Sequence, residues 1–302
     1  MLNKKVFITG ATGFIGYSLV KHLLKYTRQE NITCIVRSTS NYHKLADLGV
    51  NIIIGDIKNL DSYSHELLES NYVYHFAANS SFLNIGSYEE DNVDSTNNIV
   101  NVLTKSKKLE LFLFASTIGV VDRKRTEFKF NTLDENSPNY PRSKYGKSKL
   151  KCEKIISKTN LPYIILRITW AYGPGMRLNS HISTFIKDSI KNKIYTRINF
   201  SGKVSLIYID DLINGIWLLS NSKKVIKNIY FISDSNPTTL GEILKMINSN
   251  IDQKSKMVSF PKWLIWIIKI FSPLLPFKAS VLFNDSLVCN SKKIETIGFN
   301  PN

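Results

Sequence analysis

A tyrosine four residues before a lysine can do acid–base work on a helix, where positions i and i+4 share one face. A free phenol titrates near 10, too high for a base at neutral pH. A neighbouring ammonium, joined by the positive charge of an oxidised nicotinamide, favours the phenolate and lowers that value. The sequence carries three such pairs: Tyr17/Lys21, Tyr140/Lys144 and Tyr145/Lys149. With 14 tyrosines and abundant lysine, roughly one or two matches are expected by chance. Tyr17 lies in the helix behind a glycine turn, and Pro141 interrupts the second pair. Tyr145 opens an uninterrupted helical run to about Ser157, so Tyr145 and Lys149 are the candidate pair. Ser116 and Thr117 end an apolar run and can each donate a hydrogen bond to a reacting oxygen. Such a set moves a hydroxyl proton while hydride passes to or from nicotinamide.

A dinucleotide needs its own cradle. Gly10-Ala-Thr12-Gly13-Phe14-Ile15-Gly16 follows a short strand and opens a helix. Gly10 permits the tight turn, Gly13 lets backbone approach a pyrophosphate, and Gly16 lets helix pack on strand. The helix N-terminus then faces the phosphates. At the end of the second strand, where an acid would hold the ribose hydroxyls, stands Arg37 followed by Ser38, Thr39 and Ser40. An arginine suits a 2′-phosphate, so NADP is expected over NAD; the plain alternative is a surface arginine stacked on adenine.

The elements that must position these residues alternate. Strands are expected at 4–9, 32–36, 51–54, 72–76, 111–117 and 163–167, with helices between them, which means βαβ units and a parallel sheet. After Gly175 the pattern loosens. Residues 1–175 with 204–234 read as the dinucleotide-binding domain. Residues 176–203 with 235–302 read as a smaller, discontinuous lobe over the sheet's carboxyl edge, with the substrate pocket between them.

Composition limits the alternatives. The 302 residues, 43% hydrophobic and 21% charged, exclude wholesale disorder. Three well-separated cysteines, Cys34, Cys152 and Cys289, fit a reducing compartment and argue against a disulfide scaffold or a structural zinc. The start runs straight into a strand and a glycine turn, unlike a secretory signal. The net charge of +16 is scattered along the chain rather than set in an aromatic-interleaved basic stripe, so nucleic acid is not the expected partner. A polyanionic small ligand and an anionic membrane surface both remain compatible with it.

Taken in order, Gly10-x-x-Gly13-x-x-Gly16, Asp56-Ile57, His75-Phe-Ala77-Ala78, Asn92-Val-Asp-x-Thr96, Ser116-Thr117, Tyr145-Gly-Lys-Ser-Lys149, Arg167…Tyr172-Gly-Pro-Gly175, Ile207-Tyr-Ile-Asp-Asp211 and Lys293…Gly298-Phe-x-Pro301 resemble the extended short-chain dehydrogenase/reductase family, epimerase/dehydratase branch. The resemblance covers nearly the whole chain. It implies an α/β fold with a Rossmann-type doubly wound sheet, and a catalytic triad of Thr117, Tyr145 and Lys149. It also implies cofactor contacts from the glycine turn, Asp56, Ile57, Ala77, Ala78 and Asn92, and substrate contacts from Ser80, Thr117, Tyr145 and Trp170. Of the two hydroxyls, Thr117 takes the catalytic position. The implied activity is reduction or epimerisation at carbon 4 of a nucleotide-linked sugar in surface-polysaccharide biosynthesis, by a cytoplasmic homodimer without a metal. A sterol- or flavonol-type dehydrogenase and a catalytically silent NADP-binding scaffold are the rivals.

Two departures narrow the chemistry. Ile118-Gly119 stand where the family's 4,6-dehydratases carry Asp-Glu, which argues against elimination, and Trp170 replaces an asparagine of many hexose 4-epimerases. Finally, the apolar segment 262–277 is broken by Lys269, Pro273 and Pro276, too short to span a bilayer. It reads as a helix packed on the substrate lobe or as a peripheral contact at the inner membrane surface.

Overall fold

Short apolar and β-branched runs form the strands, most of those in the main sheet buried on both faces. The computed structural model describes residues 3–80, 86–122, 132–222, 225–251, 256–271, 282–283 and 287–301. Seven strands form one parallel sheet, in the order β10 (Asn228–Ile232), β6 (Tyr163–Ile168), β5 (Leu111–Thr117), β4 (Tyr72–His75), β1 (Val6–Thr9), β2 (Ile32–Val36), β3 (Asn51–Ile54). The chain winds outward from β1 to β3 and then returns to place β4 on β1's other side. A crevice therefore opens at the carboxyl ends of β1 and β4, where ligands of such sheets bind.

Period-two alternation sorts the side chains into two layers. In β5, Leu111, Leu113 and Ala115 join one core with Leu19 and Val20 of α1 (Phe14–Leu23), Leu45 of α2 (His43–Ala46) and Leu212 and Ile216 of α7 (Ile209–Asn221). Phe112 and Phe114 join the other, with Leu67 of α3 (Ser64–Leu68), Ile99 of α4 (Ser95–Leu103) and Ile156 of α5 (Lys144–Ser157). The chain enters α4 through a π-helical stretch, Glu89–Asp94; the N–H of Ser95 and its hydroxyl both donate to the carbonyl of Glu90.

A third core builds the lobe from Ile182 of α6 (His181–Ile190), Val204 of β8 (Lys203–Val204), and Leu240 and Leu244 of α8 (Leu240–Ile251), with Phe200 and Leu287. β8 pairs antiparallel with β11 (Thr238–Thr239), and β7 (Trp170–Tyr172) pairs parallel with β9 (Leu206–Tyr208). Residues 206–208 thus make a separate two-strand ladder with β7, and α7 follows and packs on the main sheet. The end of the chain departs from the expected division. Ile294 of α10 (Lys292–Glu295) and Phe299 pack in the main core, Phe299 against Gly215 of α7, so residues near 294–299 leave the lobe. A further helix, α9 (Lys262–Phe271), lies within the apolar segment flagged above.

Candidate active site

The glycine turn is shaped by what a side chain would strike. Gly10 is left-handed (φ +73°), and a Cβ there would come within 2.6 Å of the Ala77 nitrogen. A Cβ on Gly16 would lie 2.3 Å from the Gly10 carbonyl oxygen, so this glycine seats α1 on the turn. Gly13 is the N-cap of α1 and offers no side-chain cap, leaving the first N–H groups of Phe14 and Ile15 for an anion. Thr12 is exposed in the same turn. The cradle fits a dinucleotide pyrophosphate.

Around it lie the expected flanks. Arg37 directly follows β2 and is exposed, its carbonyl accepting from the Ser40 N–H in a tight turn at 2.9 Å. Asp56 and Ile57 follow β3, half-buried; Asp56 accepts from the Lys58 N–H at 2.9 Å and the Ile57 carbonyl from the Tyr63 hydroxyl at 2.7 Å. Ala77 and Ala78 follow β4, half-buried, and the Ala77 N–H donates to Thr9 Oγ1 at 3.1 Å. Thr9 Oγ1 also pairs with His75 Nδ1 at 2.7 Å, and His75 Nε2 with Thr96 Oγ1 at 3.0 Å. Burial, with Lys149 nearby, pulls the His75 imidazole down to about 3, so it is neutral.

Asn92 works from beneath this loop. It is buried; its amide oxygen accepts from the Asn79 N–H at 2.7 Å, while Nδ2 reaches the Asn79 carbonyl and Ser148 Oγ at 3.1 and 3.0 Å. Its side chain thus clamps the loop after β4 to α5.

The acid–base pair sits on α5. Ser143 caps this helix, its hydroxyl accepting the Gly146 N–H at 2.9 Å, which fixes Tyr145 in the first turn. A Cβ on Gly146 would meet the Gly119 carbonyl at 2.5 Å, and the Gly119 N–H donates to Thr117 Oγ1 at 3.2 Å. The first turn of α5 therefore abuts the turn that begins at Thr117. Tyr140 lies outside the helix, 45% exposed, and Tyr17 packs against the main core. Ser116 is on the other side of the β5 pleat, its hydroxyl 2.5 Å from Glu153 Oε1, which leaves Thr117 as the hydroxyl at the edge.

Burial pushes the Tyr145 phenol up to about 12, opposed by Arg177, and pulls the Lys149 ammonium down to about 8, opposed by Cys152 and Glu153. Lys149 Nζ lies 4.3 Å above the Phe114 ring. Without a further positive charge nearby, the Tyr145 phenol is protonated. Beneath the pair, Arg167 of β6 grips Glu153 of α5 through Nε and Nη2 at 3.1 and 2.7 Å, both side chains buried.

Arg177 escaped the sequence reading. Its Nη1 donates to Ser80 Oγ at 2.8 Å, its Nη2 lies 3.7 Å from where a Gly13 Cβ would stand, and its charge acts on Tyr145. One guanidinium thus connects the glycine turn, the expected substrate serine and the phenol. The available signal was a lone cation two residues past Gly175, at the edge where phosphate was expected. Trp170 is stacked on His181, centroids 4.2 Å apart, at the start of the lobe.

A family model, the NAD dependent epimerase/dehydratase family, matches residues 6–233. The chain belongs to that family. Among curated relatives, it is 26% identical to a UDP-glucose 4-epimerase of Vibrio cholerae over 312 residues, covering 99% of this chain and 91% of that protein. It is 27% identical to a UDP-N-acetyl-alpha-D-glucosaminuronate decarboxylase of Bacillus cytotoxicus, covering 86% and 84%. Of solved structures, the UDP-glucuronic acid 4-epimerase of Bacillus cereus, in complex with UDP-glucuronic acid and NAD, superposes with a TM-score of 0.77 at 24% identity, covering 99% and 94% of the chains. The dTDP-glucose 4,6-dehydratase DesIV of Streptomyces venezuelae, with NAD bound, gives 0.78 at 21%, covering 100% and 92%. The expected α/β architecture and enzyme class of this epimerase/dehydratase member therefore stand. The neighbours hold NAD, and they lend no support to the expected preference for NADP.

Proposed function

We propose that this enzyme reduces or epimerises a nucleotide-linked sugar at carbon 4, in the cytoplasm, for surface-polysaccharide synthesis. The observation that carries the reading is that the first turn of α5, which holds Tyr145, abuts the turn begun by Thr117, with the Arg177 charge acting on the phenol. A bound nicotinamide dinucleotide supplies hydride donation and acceptance. Tyr145 removes or returns the proton of the sugar hydroxyl, and Thr117 donates a hydrogen bond to the same oxygen. Lys149, one helical turn on, holds a ribose of the dinucleotide, while the Arg177 charge lowers the phenol's proton affinity. The buried Ile118 and the half-buried Gly119 supply no carboxylate after Thr117, which favours simple redox over elimination. The relatives named for UDP-sugars support the substrate class, and Arg177 suits a diphosphate.

Incubation with UDP- and dTDP-hexoses and their 4-keto forms, with products followed by NMR and reduced nicotinamide by absorbance, tests the reading. An inverted sugar with no net cofactor change marks an epimerase; stoichiometric oxidation of the reduced cofactor marks a reductase. No turnover of any of them would defeat it. For the cofactor, we propose NADP on the strength of the exposed Arg37 after β2. Arg37→Ala should weaken NADP binding by about tenfold or more and leave NAD nearly unchanged, because it removes only a phosphate contact. Equal affinities in the parent, measured by calorimetry, would assign the site to NAD.

A further inference from the structure

Helix α9 turns apolar side chains outward. Trp263 and Trp266 are 64% and 65% exposed, with Ile267, Ile270 and Phe271 also exposed, while Leu264, Ile265 and Ile268 are half-buried. The spacing i, i+3, i+4, i+7 places Trp263, Trp266, Ile267 and Ile270 on one stripe. One side of this helix is thus half-covered and the other open. An exposed apolar patch with two tryptophans marks a contact surface.

The charge of the sequence here is one-sided. Between Asp252 and Asp285 the sequence has five lysines and no carboxylate. Residues 176–203 and 235–302 together hold fourteen basic and five acidic residues, so more than half of the net +16 lies in a third of the chain. The segment leading into α9 is exposed at Lys256 and Val258, and the Val258 N–H donates to the Arg197 carbonyl at 2.7 Å. That bond sets it beside the turn holding Ile194, itself 86% exposed and preceded by the exposed Lys191 and Lys193.

We propose that α9 docks the lobe onto an anionic lipid bilayer, lying in the plane of the interface. Ten residues make a helix about 15 Å long, half of a bilayer's hydrocarbon thickness of about 30 Å. Among the described residues, no helix is long and apolar enough to cross a membrane. Tryptophan prefers the headgroup boundary, where the ring is apolar and the N–H is wet. A second copy seated on this face would bring two equally basic lobes together, whereas anionic headgroups complement the charge.

Co-sedimentation of the full chain with phosphatidylcholine vesicles, with and without about a third phosphatidylglycerol, tests this. The anionic vesicles should bind it at low salt, and tryptophan emission should be quenched by lipids brominated at shallow acyl positions. Trp263→Ser with Trp266→Ser should lower partitioning by about tenfold or more while dinucleotide binding is kept. Absence of both pelleting and quenching in the parent overturns the proposal. So does a parent that sediments as a dimer, becomes monomeric in the double variant and ignores vesicles, which would give the face to a second copy. Should the double variant fail to fold, quenching in the unaltered protein decides alone.

Discussion

At the scale of single residues, the chemistry rests on proton affinities that burial moves in opposite directions. Tyr145 is held protonated and Lys149 is eased toward losing its charge. Tyr145→Phe should cut turnover by roughly a hundredfold or more with little change in dinucleotide affinity, because it removes the proton relay and no binding contact. Tyr140→Phe, outside the helix, should keep most activity. Steady-state kinetics with a calorimetric cofactor titration checks both, and the reverse pattern would move the site. This pair was legible because Pro141 disqualifies one match and a glycine turn another. Arg177 was not legible, because its partners Ser80 and Gly13 are distant in sequence and only the fold brings them within reach. The clamp made by Asn92 was not legible either: a polar residue at a helix start says nothing of which neighbouring loop its amide holds.

At the scale of elements, α5 is fastened where it must not move. Glu153 accepts from Ser116 of β5 and from Arg167 of β6, and Arg167 Nη2 also reaches Asn139 Oδ1 at 2.8 Å. This ties the catalytic helix to two strands one turn below Lys149. Arg167→Met leaves a buried carboxylate without its cation and should cost about 3–5 kcal/mol, whereas pairing it with Glu153→Met should restore much of that. Denaturant midpoints of the single and double variants read this directly. The sequence showed α5 and β6 as periodic runs, yet gave no reason to couple Glu153 with Arg167; they are fourteen residues apart and meet only because β6 lies alongside β5. Strands and helices with strong patterns were readable for the same reason that 206–208 was not: three apolar residues carry no information about which ladder they join.

At the scale of the whole molecule, acid should undo the fold through its buried neutral histidine. The folded imidazole of His75 binds its proton only near pH 3, while the unfolded one does so near 6.5. Between those values the unfolded chain holds the extra proton, so stability falls as pH drops below about 6.5, by on the order of 4 kcal/mol at the lower limit. Lys149 adds a second window of the same sign: its folded value near 8 lies below the unfolded one near 10.4, so stability rises as pH climbs between them. Urea midpoints across pH should show both slopes, and His75→Gln should flatten the acidic one. The return of Ile294 and Phe299 to the main core makes the lobe's second segment an insertion secured at both ends rather than a trailing tail. Closing such a loop costs only about 0.6 kcal/mol more for each doubling of its length. Its size is therefore nearly neutral for the sheet beneath, and a lineage can lengthen or trim the lobe while the strands beneath stay as they are.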